Sequence, residues 1–335
     1  MKILLCSHVF APSVGGIETV SGILAEQFAR MGSTVTVVTS TPGEQVSASY
    51  ELVRCPSLKK LCQLGRDSEI VFQNNISLRT LLPLLFFRKP VVVAHHTWLT
   101  RANGGRSWQD YLKRAVLPMC RNISISKAVA DTLPVKSVVI GNPFQTGEFT
   151  GLRDSPRTRD IVFMGRLVSD KGCDLLLRAL SLLKGDGVRP TVSIIGDGAE
   201  LPALKCMVDE LGLSHQVVFL GALREGRGRE VARHRIMVIP SRWAEPFGLV
   251  ALEGLASGCV IAGSSAGGLP EAVGPCGVLF PNGDVEAMAS ALKDLLTLPA
   301  LREELISNSA RHLRSFEPEF VAKKYLDVFQ SALHR

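Results

Sequence analysis

The chain has 335 residues, more than one hydrophobic core ordinarily supports, and this length predicts two domains. Its 46% hydrophobic and 21% charged residues exclude a disordered chain and are typical of a folded α/β protein. The formal net charge of +7 lies entirely in the first half, because residues 1–150 carry 16 Lys and Arg against 9 Asp and Glu, whereas residues 151–335 carry 22 of each. This asymmetry indicates either an anionic partner of the first half (nucleic acid, membrane surface or acidic substrate) or a solvated basic face.

The cysteines and apolar runs restrict where the protein works. The eight cysteines include no Cys-x-x-Cys pair, and several lie in apolar runs, as reduced cysteines of a cytoplasmic protein do. Only three apolar residues separate Lys2 from Cys6, whereas a secretory signal core needs roughly 7 to 15. No segment approaches the ~18 to 20 apolar residues that cross a bilayer. We therefore expect a cytoplasmic protein, soluble or peripheral on a membrane.

Short β-branched runs alternate with segments of helical periodicity. They predict strands at 3–5, 34–38, 70–72, 91–94, 123–125 and 138–140, and again at 161–164, 192–195, 217–220, 237–239, 260–262 and 278–280. The segment 145–160, polar and rich in Gly, Pro and Arg, is typical of a linker. We predict an α/β protein of two doubly wound parallel-sheet, Rossmann-like domains, residues 1–150 and 151–316, facing each other across a cleft.

Ligands of such sheets bind beyond the carboxyl ends of the strands, so the loops there carry the candidate site. After the first strand, Gly15 and Gly16 permit a tight turn and Glu18 opens a helix, which would present free amides to a ligand. The alternative is a plain connection in which Glu18 favours the helix dipole. The dinucleotide-binding pattern GxGxxG is absent from this loop.

His95 and His96 follow the predicted strand at 91–94. Adjacent side chains project in different directions, which is poor geometry for chelating one metal ion, and no Asp or Cys partner is near in sequence. A lone histidine is usually structural, but two at the carboxyl end of a strand favour a binding or polar role. We predict no metal site here.

Arg166 and Lys171 lie between a predicted strand and helix in the second half. Two cations on a glycine-flanked loop suit a diphosphate, because Arg offers a planar fork of donors and Lys a point charge. The alternative is a solvated basic loop.

The stretch SRWAEPFGLVALEGLASG, residues 241–258, places Glu245 and Glu253 in an apolar setting. Pro246 favours a helix start, so the amides of the next three residues, Phe247, Gly248 and Leu249, would be the free donors of a first turn and would favour an anion. Both carboxylates can reach the same place, and each accepts two hydrogen bonds from vicinal hydroxyls. A ligand with both phosphate and polyol groups, such as a nucleotide-sugar, satisfies this arrangement.

Four motifs in this order resemble the family-4 retaining glycosyltransferases of the GT-B fold: GGIE at 15–18, GRLVSDKG at 165–172, GDG at 196–198 and EPFGLVALE at 245–253. The resemblance implies a nucleotide-diphosphate-sugar donor, UDP- or GDP-linked, bound chiefly by the second domain. It implies an acceptor, a glycan or a lipid-linked molecule, bound chiefly by the first. It also implies that the final helix, residues 317–335, packs back on the first domain.

The resemblance further assigns roles to residues. It implies that Glu253 holds the ribose, that Glu245 contacts the transferred sugar with His96 beside it, and that Arg166 and Lys171 grip the diphosphate. It makes Glu245, His96, Arg166 and Lys171 the candidate catalytic residues and Glu18 and His95 weaker candidates for the acceptor. The remaining donor-binding candidates are Gly15, Gly16, Gly165, Gly196, Gly198, Leu220, Phe247, Gly248 and Leu249.

The expected mechanism follows from charge. Breaking the anomeric bond leaves negative charge on the diphosphate, which Arg166, Lys171 and helix amides would stabilise. The chain has no Asp-x-Asp triplet, so we expect no cofactor and no required divalent metal. Retention through Glu245 as a nucleophile and attack from the face of the leaving group both stay open. A nucleotide-sugar epimerase or a noncatalytic nucleotide-sugar-binding protein would use the same donor residues, whereas a nucleic-acid binder is disfavoured by the absence of aromatic stacking repeats.

The excess positive charge predicts where the protein works. Segments 77–90 and 107–121 mix large apolar residues with cations: Arg79, Arg88, Lys89, Lys113, Arg114 and Arg121. This composition suits a helix lying on an anionic leaflet, or alternatively apolar residues packed inward under solvated cations. The membrane interpretation predicts peripheral contact at the inner face of the cytoplasmic membrane. The resemblance alone implies a role in bacterial cell-envelope polysaccharide, lipopolysaccharide or glycolipid synthesis.

Overall fold

The computed structural model describes residues 1–13, 15–44, 48–99 and 107–334. The chain divides into two compact units. The first comprises Met1–Phe144 together with Phe316–Arg335, and the second comprises Gln145–Ser315.

The first unit is built on a seven-stranded, wholly parallel sheet in the order β3-β2-β1-β4-β5-β6-β7. Its strands are β1 (Lys2–Ser7), β2 (Thr34–Thr39), β3 (Glu51–Arg54), β4 (Ile70–Asn74), β5 (Val91–His95), β6 (Arg121–Ser124) and β7 (Val138–Val139). The described helices of this unit are α1 (Gly16–Arg30), α2 (Leu58–Asp67), α3 (Leu78–Leu85), α4 (Trp108–Val116), α5 (Lys127–Asp131) and the last helix of the chain, α15 (Pro318–Leu333).

The second unit is built on a six-stranded parallel sheet in the order β10-β9-β8-β11-β12-β13. Its strands are β8 (Arg159–Met164), β9 (Val192–Ile195), β10 (Val217–Gly221), β11 (His234–Ile239), β12 (Val260–Ser264) and β13 (Gly277–Phe280). Its helices are α6 (Thr146–Phe149), α7 (Cys173–Gly185), α8 (Leu201–Glu210), α9 (Arg227–Val231), α10 (Leu249–Ala256), α11 (Leu269–Val273), α12 (Val285–Thr297), α13 (Pro299–Ser307) and α14 (Ser309–Arg314).

Each sheet has one topological switch point. In the first unit the chain adds β2 and β3 on one side of β1 and then returns to place β4 on the other side; in the second unit β11 returns to lie beside β8 in the same way. The loops after the two strands that flank a switch point diverge to opposite faces of the sheet, and the crevice between them is where such sheets bind ligands. The fold therefore predicts one binding edge in each unit.

The predicted two doubly wound parallel sheets are confirmed, and the differences are local. Every predicted strand overlaps an observed one, but β3 was not predicted. It is a four-residue edge strand in which only Leu52 is buried, so it lacks the continuous apolar run of a central strand. The segment predicted as a linker, 145–160, contains the short helix α6 and the start of β8.

Helix α15 packs within the first unit through an aromatic cluster. The ring of Phe329 lies 5.4 Å from that of Phe28 in α1 and 5.2 Å from that of Phe72 in β4, and Tyr325 packs beside them at 5.5 Å from Phe72. All four side chains are fully buried. Because aromatic side chains bury large apolar areas, this cluster ties the end of the chain to α1 and β4. Among the described residues, no helix is both long enough and apolar enough to cross a bilayer.

The aromatic cluster generates a stability prediction. We expect Phe329→Ala to lower the free energy of unfolding of the first unit by about 3 to 5 kcal/mol, because it leaves a cavity between three aromatic rings. Phe320→Ala is the matched control in the same helix. Phe320 is 47% exposed, and we expect a loss below about 1 kcal/mol. Equal losses in urea titrations of both variants would show that the cluster does not anchor α15.

Candidate functional site

Close packing of glycines fixes the loops at the carboxyl edge of the second sheet. A Cβ atom on Gly196, after β9, would collide with the carbonyl oxygen of Gly165, after β8, and one on Gly198 would collide with that of Leu167. On the other side of β8, a Cβ on Gly172 would collide with the carbonyl oxygen of Pro240, after β11. The loops approach one another this closely because these residues have no side chain.

Lys171 and Glu245 meet at the switch point of the second sheet. Lys171 Nζ donates to Glu245 Oε1 at 2.5 Å, and Ser241 Oγ donates to the same oxygen at 2.7 Å. The two charged side chains are 24% and 13% exposed, so the ion pair is shielded from most of the solvent. The backbone of Glu245 is held as well, since its carbonyl oxygen accepts from the amide of Gly268 at 2.7 Å.

Arg166 and Arg242 lie on the same side of this edge. Arg166 follows β8 and is exposed, and it forms no ion pair within the described part of the chain. Arg242 donates to both oxygens of Asp174, at 2.6 and 2.5 Å, and to the carbonyl oxygen of Ser169 at 2.9 Å. Arg242 therefore ties the loop after β11 to the loop that carries Lys171, whereas Arg166 faces the solvent.

Helix α10 begins later than the sequence predicts. Its first residue is Leu249, with Gly248 as the N-cap at φ 116°, so the expected start at Pro246 is wrong. The left-handed backbone of Gly248, reserved for glycine, interrupts the run that Pro246 would otherwise begin. Phe247 is buried and precedes the helix. The amides of the first turn are consequently those of Leu249 and the residues after it.

Glu253 lies in the fifth position of α10 and is buried, with 8% of its surface exposed. Burial raises the pKa of its carboxyl to about 7; the positive charge of Arg227 in α9 opposes this rise and the negative charge of Glu148 in α6 adds to it. Helices α6, α9 and α10 pack against one another, which brings the three charges together. This carboxyl therefore holds its proton to a higher pH than an exposed glutamate does.

Arg227 is held by Glu148 rather than by Glu253. Its guanidinium donates to Glu148 Oε2 at 2.6 Å, its backbone amide donates to Glu148 Oε1 at 3.0 Å, and its charge lies 5.3 Å from the centre of the Phe149 ring. Sequence reasoning missed both residues, because 79 positions separate them and neither lies in a recognisable motif. Only the packing of α6 on α9 reveals the pair.

The other donor-binding candidates follow neighbouring strands. Gly165 directly follows β8, Gly196 directly follows β9 with Gly198 two residues later, and Leu220 lies near the end of β10, where it is half-buried. Among the second-unit candidates the structure thus brings Lys171 and Glu245 together in one ion pair, and it places the residues after β9 and β10 farther along the same edge.

In the first unit, Glu18 covers the glycine loop. Gly15 is the N-cap of α1 with an extended backbone, φ 177°, and neither Gly15 nor Gly16 has the positive φ expected for a tight glycine turn. A Cβ on Gly15 would lie 2.6 Å from Glu18 Oε2, the far end of a flexible side chain, so this contact places Glu18 over Gly15 without requiring glycine there. The carboxylate thus sits at the start of α1, where the helix dipole favours a negative charge.

His96 belongs to a buried hydrogen-bond network. Its Nε2 lies 2.7 Å from Asn74 Oδ1, Asn74 Nδ2 donates to Ser21 Oγ at 2.6 Å, and Ser21 Oγ lies 2.7 Å from Ser7 Oγ. An amide oxygen only accepts, so Nε2 carries the proton. Burial, with a contribution from His95, lowers the pKa of His96 to about 3. The ring is therefore neutral, and its buried Nδ1, which has no partner among the described residues, offers a lone pair.

His95 points into a different environment. Its Nε2 lies 3.0 Å from Asn122 Oδ1, and Asn122 in turn donates to the carbonyl oxygen of Leu117 at 3.0 Å. The side chain is buried, and burial lowers its pKa. Its role in acceptor binding stays a prediction, as does that of Glu18. In the described part of the chain, no three His, Cys, Asp or Glu side chains cluster as a metal site would require.

Known sequences share the second half of the chain. Residues 150–312 match the family described as glycosyl transferases group 1. A D-inositol 3-phosphate glycosyltransferase of Mycobacterium avium is 35% identical over 184 residues, which are 53% of this chain and 43% of the relative. An uncharacterized glycosyltransferase of Methanocaldococcus jannaschii is 29% identical over 188 residues, 55% of this chain and 47% of the relative. The chain thus spans less than half the length of these relatives.

Solved structures share the fold over the whole chain. HepE of Anabaena in complex with UDP is similar with a TM-score of 0.84 over 99% of this chain and 100% of that one, at 20% identity. The sucrose-phosphate synthase of Thermosynechococcus elongatus is similar with a TM-score of 0.79 over 98% of both chains, also at 20% identity. These likenesses show the fold, two Rossmann-like domains of the GT-B type. The match to the group 1 glycosyl transferase family rests on the sequence of residues 150–312, about half of the chain.

Proposed function

We propose that this protein transfers a sugar, with retention of anomeric configuration, from a nucleotide-diphosphate-sugar to a glycan or lipid-linked acceptor in bacterial cell-envelope synthesis. The observation that carries the proposal is the shielded Lys171–Glu245 pair at the switch point of the second sheet, with Glu253 buried in the helix that follows. A cation for phosphate and carboxylates for hydroxyls are the groups that a nucleotide-sugar needs.

The donor is proposed from the site and from the solved relatives. HepE of Anabaena is known in complexes with UDP, with UDP and glucose, and with UDP-glucose, so a UDP-sugar is the first candidate and a GDP-sugar the second. Arg166, exposed and without an ion pair in the described chain, is available to the diphosphate. Lys171 is paired with Glu245 and becomes available to the diphosphate only when the donor competes for it. A diphosphate that draws Lys171 away would release Glu245 toward the sugar, which couples the two groups.

The chemistry assigned to the chain's own residues is electrostatic. Arg166, Lys171 and the amides at the start of α10 stabilise the negative charge that develops on the leaving diphosphate. We propose that these cations act without a divalent metal and without a cofactor. His96 cannot serve as a proton donor through Nδ1, because that atom carries the lone pair. Its role is to accept a hydrogen bond from a sugar hydroxyl.

The location of the acceptor is proposed from charge. The excess of cations lies in residues 1–150, and the exposed Phe86, Trp108 and Met119 accompany them in the segments predicted to contact a membrane. We propose peripheral binding of the first unit to an anionic leaflet at the cytoplasmic face, where each cation near the lipid contributes on the order of 1 kcal/mol.

The decisive experiment measures nucleotide release. After a thermal-shift screen identifies the nucleotide-sugar that stabilises the protein, release of UDP or GDP is followed with and without acceptor, in EDTA and in Mg²⁺. We expect release that depends on acceptor and persists in EDTA. Conversion of the donor without acceptor would favour an epimerase, and binding without turnover a noncatalytic nucleotide-sugar-binding protein. Complete loss in EDTA, restored by Mg²⁺, would refute the metal-independent mechanism.

The two carboxylates are predicted to act at different steps. We expect Glu253→Gln to raise the dissociation constant of the donor about tenfold, because the ribose loses a charged acceptor, with a smaller effect on kcat. We expect Glu245→Gln to lower kcat at least a hundredfold with donor affinity within about threefold, because this carboxylate meets the reacting sugar. Calorimetric binding and steady-state kinetics separate the two effects. Equal losses confined to binding in both variants would contradict the division.

Glu253 gives both donor binding and stability a dependence on pH. Only the carboxylate accepts from both ribose hydroxyls, so donor affinity should rise with pH through about 7. The free energy of unfolding should instead fall as the pH rises. The pKa is raised from 4.5 in the unfolded chain to about 7 in the folded one, so the folded state binds the proton more tightly. The resulting stability is lost as pH rises from about 4.5 to 7, by up to about 3 kcal/mol.

Arg227 is predicted to lower the pKa of Glu253 and so to set the pH range in which donor binding changes. We expect Arg227→Ala to raise the pKa of Glu253 further, so the pH at which donor binding is half-maximal moves upward and affinity at pH 7 falls several-fold. Arg229→Ala, which removes an exposed cation from the same helix, is the control and should leave the profile unchanged. The measurement is donor affinity between pH 6 and 9. A uniform loss of affinity at every pH would mean that Arg227 acts only through packing.

A further inference from the structure

A cavity of about 470 Å³ lies in the first unit at the carboxyl edge of its sheet. It is formed by the loops after β1 and β4, which flank the switch point, and by the facing sides of α3 and α4; His8, Asn75, Arg79, Trp108 and Lys113 are among its lining residues. We refer to it as the α3–α4 groove. Its volume is in the range of ligand pockets, and switch points are where doubly wound sheets bind ligands.

The loop after β4 places Asn75 at the groove in a fixed backbone conformation. Asn75 has φ 76°, a left-handed conformation that asparagine adopts more readily than most residues with a side chain. The sheet holds it there, because its amide donates to the carbonyl oxygen of Ala94 at 2.9 Å.

The groove is positively charged. Arg79 of α3 and Lys113 of α4 line it from opposite helices, and no Asp or Glu is among its lining residues. Neither cation forms an ion pair with another described residue. An Arg and a Lys facing one space without a carboxylate between them suit a phosphate, which accepts a bidentate bond from the guanidinium and the point charge of the ammonium.

The rest of the lining is apolar. Leu78, Leu82 and Leu112 belong to it, and Trp108 lies at its edge with 71% of its surface exposed. The exposed apolar surface continues beyond the end of α3 to Phe86, which is 87% exposed. A free phosphate would leave this surface in water, whereas a phosphate that carries an apolar chain would cover it.

We propose that the α3–α4 groove binds the phosphate or diphosphate ester of an apolar chain, with the anion between Arg79 and Lys113 and the chain along Leu82 and Trp108. The inference rests on the proposed function in one respect. Under that function, the amphiphile is the lipid-phosphate part of a lipid-linked acceptor, and its binding anchors the acceptor to the first unit. The binding itself requires neither donor nor catalysis.

The test uses decyl phosphate below its micelle concentration, with decanol and inorganic phosphate as the two halves of the ligand. We expect decyl phosphate to bind the full chain at least tenfold more tightly than either, and Arg79→Glu and Lys113→Glu each to weaken it roughly tenfold or more, the loss typical of one charge-assisted hydrogen bond. Lys136→Glu, the same charge change at an exposed position before β7, is the control. Quenching or a blue shift of Trp108 fluorescence, lost in Trp108→Phe, reports the position of the chain.

The outcomes that overturn the proposal are distinct. If inorganic phosphate binds as tightly as decyl phosphate, the apolar chain does not contribute to binding. If decanol binds as tightly, the two cations do not contribute. If Lys136→Glu weakens decyl phosphate binding as much as Arg79→Glu does, the effect of these substitutions comes from the net charge of the protein and not from a specific site. If Arg79→Glu lowers binding to phosphatidylglycerol vesicles but leaves decyl phosphate binding intact, the cations serve a membrane surface and not a ligand. The binding assay contains no nucleotide-sugar, so its result is independent of sugar transfer. Binding of decyl phosphate here, together with no turnover in the nucleotide-release assay, would refute the proposed function and leave this inference standing.

Discussion

The first strand of each unit lies inside its sheet, and the chain must return to its other side to continue. This reversal separates the loops after β1 and β4 in one unit and after β8 and β11 in the other, and it creates the two edges where side chains can meet a ligand. Lys171 and Glu245 are 74 residues apart in sequence and meet because their strands are neighbours across the reversal. The sheet topology therefore fixes where the site lies, and the residues that follow the strands determine which groups can bind there.

The two glutamates of the second unit differ in their partners. Glu245 forms an ion pair with Lys171 and accepts a hydrogen bond from Ser241. Glu253 has no such direct partner among the described residues, so its burial is opposed only through Arg227, which Glu148 already holds. One carboxylate therefore lies in a direct ion pair, while burial raises the pKa of the other to about 7. This difference makes the two glutamates unequal even though one short motif contains both.

The sequence predicts the parts of this arrangement that local patterns encode. Buried parallel strands appear as apolar β-branched runs, so both sheets could be predicted, whereas the edge strand β3, with only Leu52 buried, could not. The placement of Arg166, Lys171, Glu245 and Glu253 after strands or in the following helix could also be predicted. The start of α10 was predicted wrongly, because the preference of Pro246 for a helix start is overridden by the left-handed Gly248. The Glu148–Arg227 pair depends on the packing of α6 against α9 and leaves no local trace.

The two units differ in how their charged side chains are paired. In the described chain, most ion pairs of the second unit join distant elements, as Arg242 does with Asp174 and Arg235 with Asp160, although Arg233 pairs with Glu230 only three residues away. The described ion pairs of the first unit are short-range pairs within helices, Arg30 with Glu26 and Lys127 with Asp131. Its remaining cations are left for other contacts, and those of α3 and α4 are interleaved with exposed apolar side chains. Such a surface is unfavourable in water for two reasons: its apolar side chains are exposed to solvent, and its like charges repel one another. An anionic amphiphile would bury the apolar side chains and neutralise the cations.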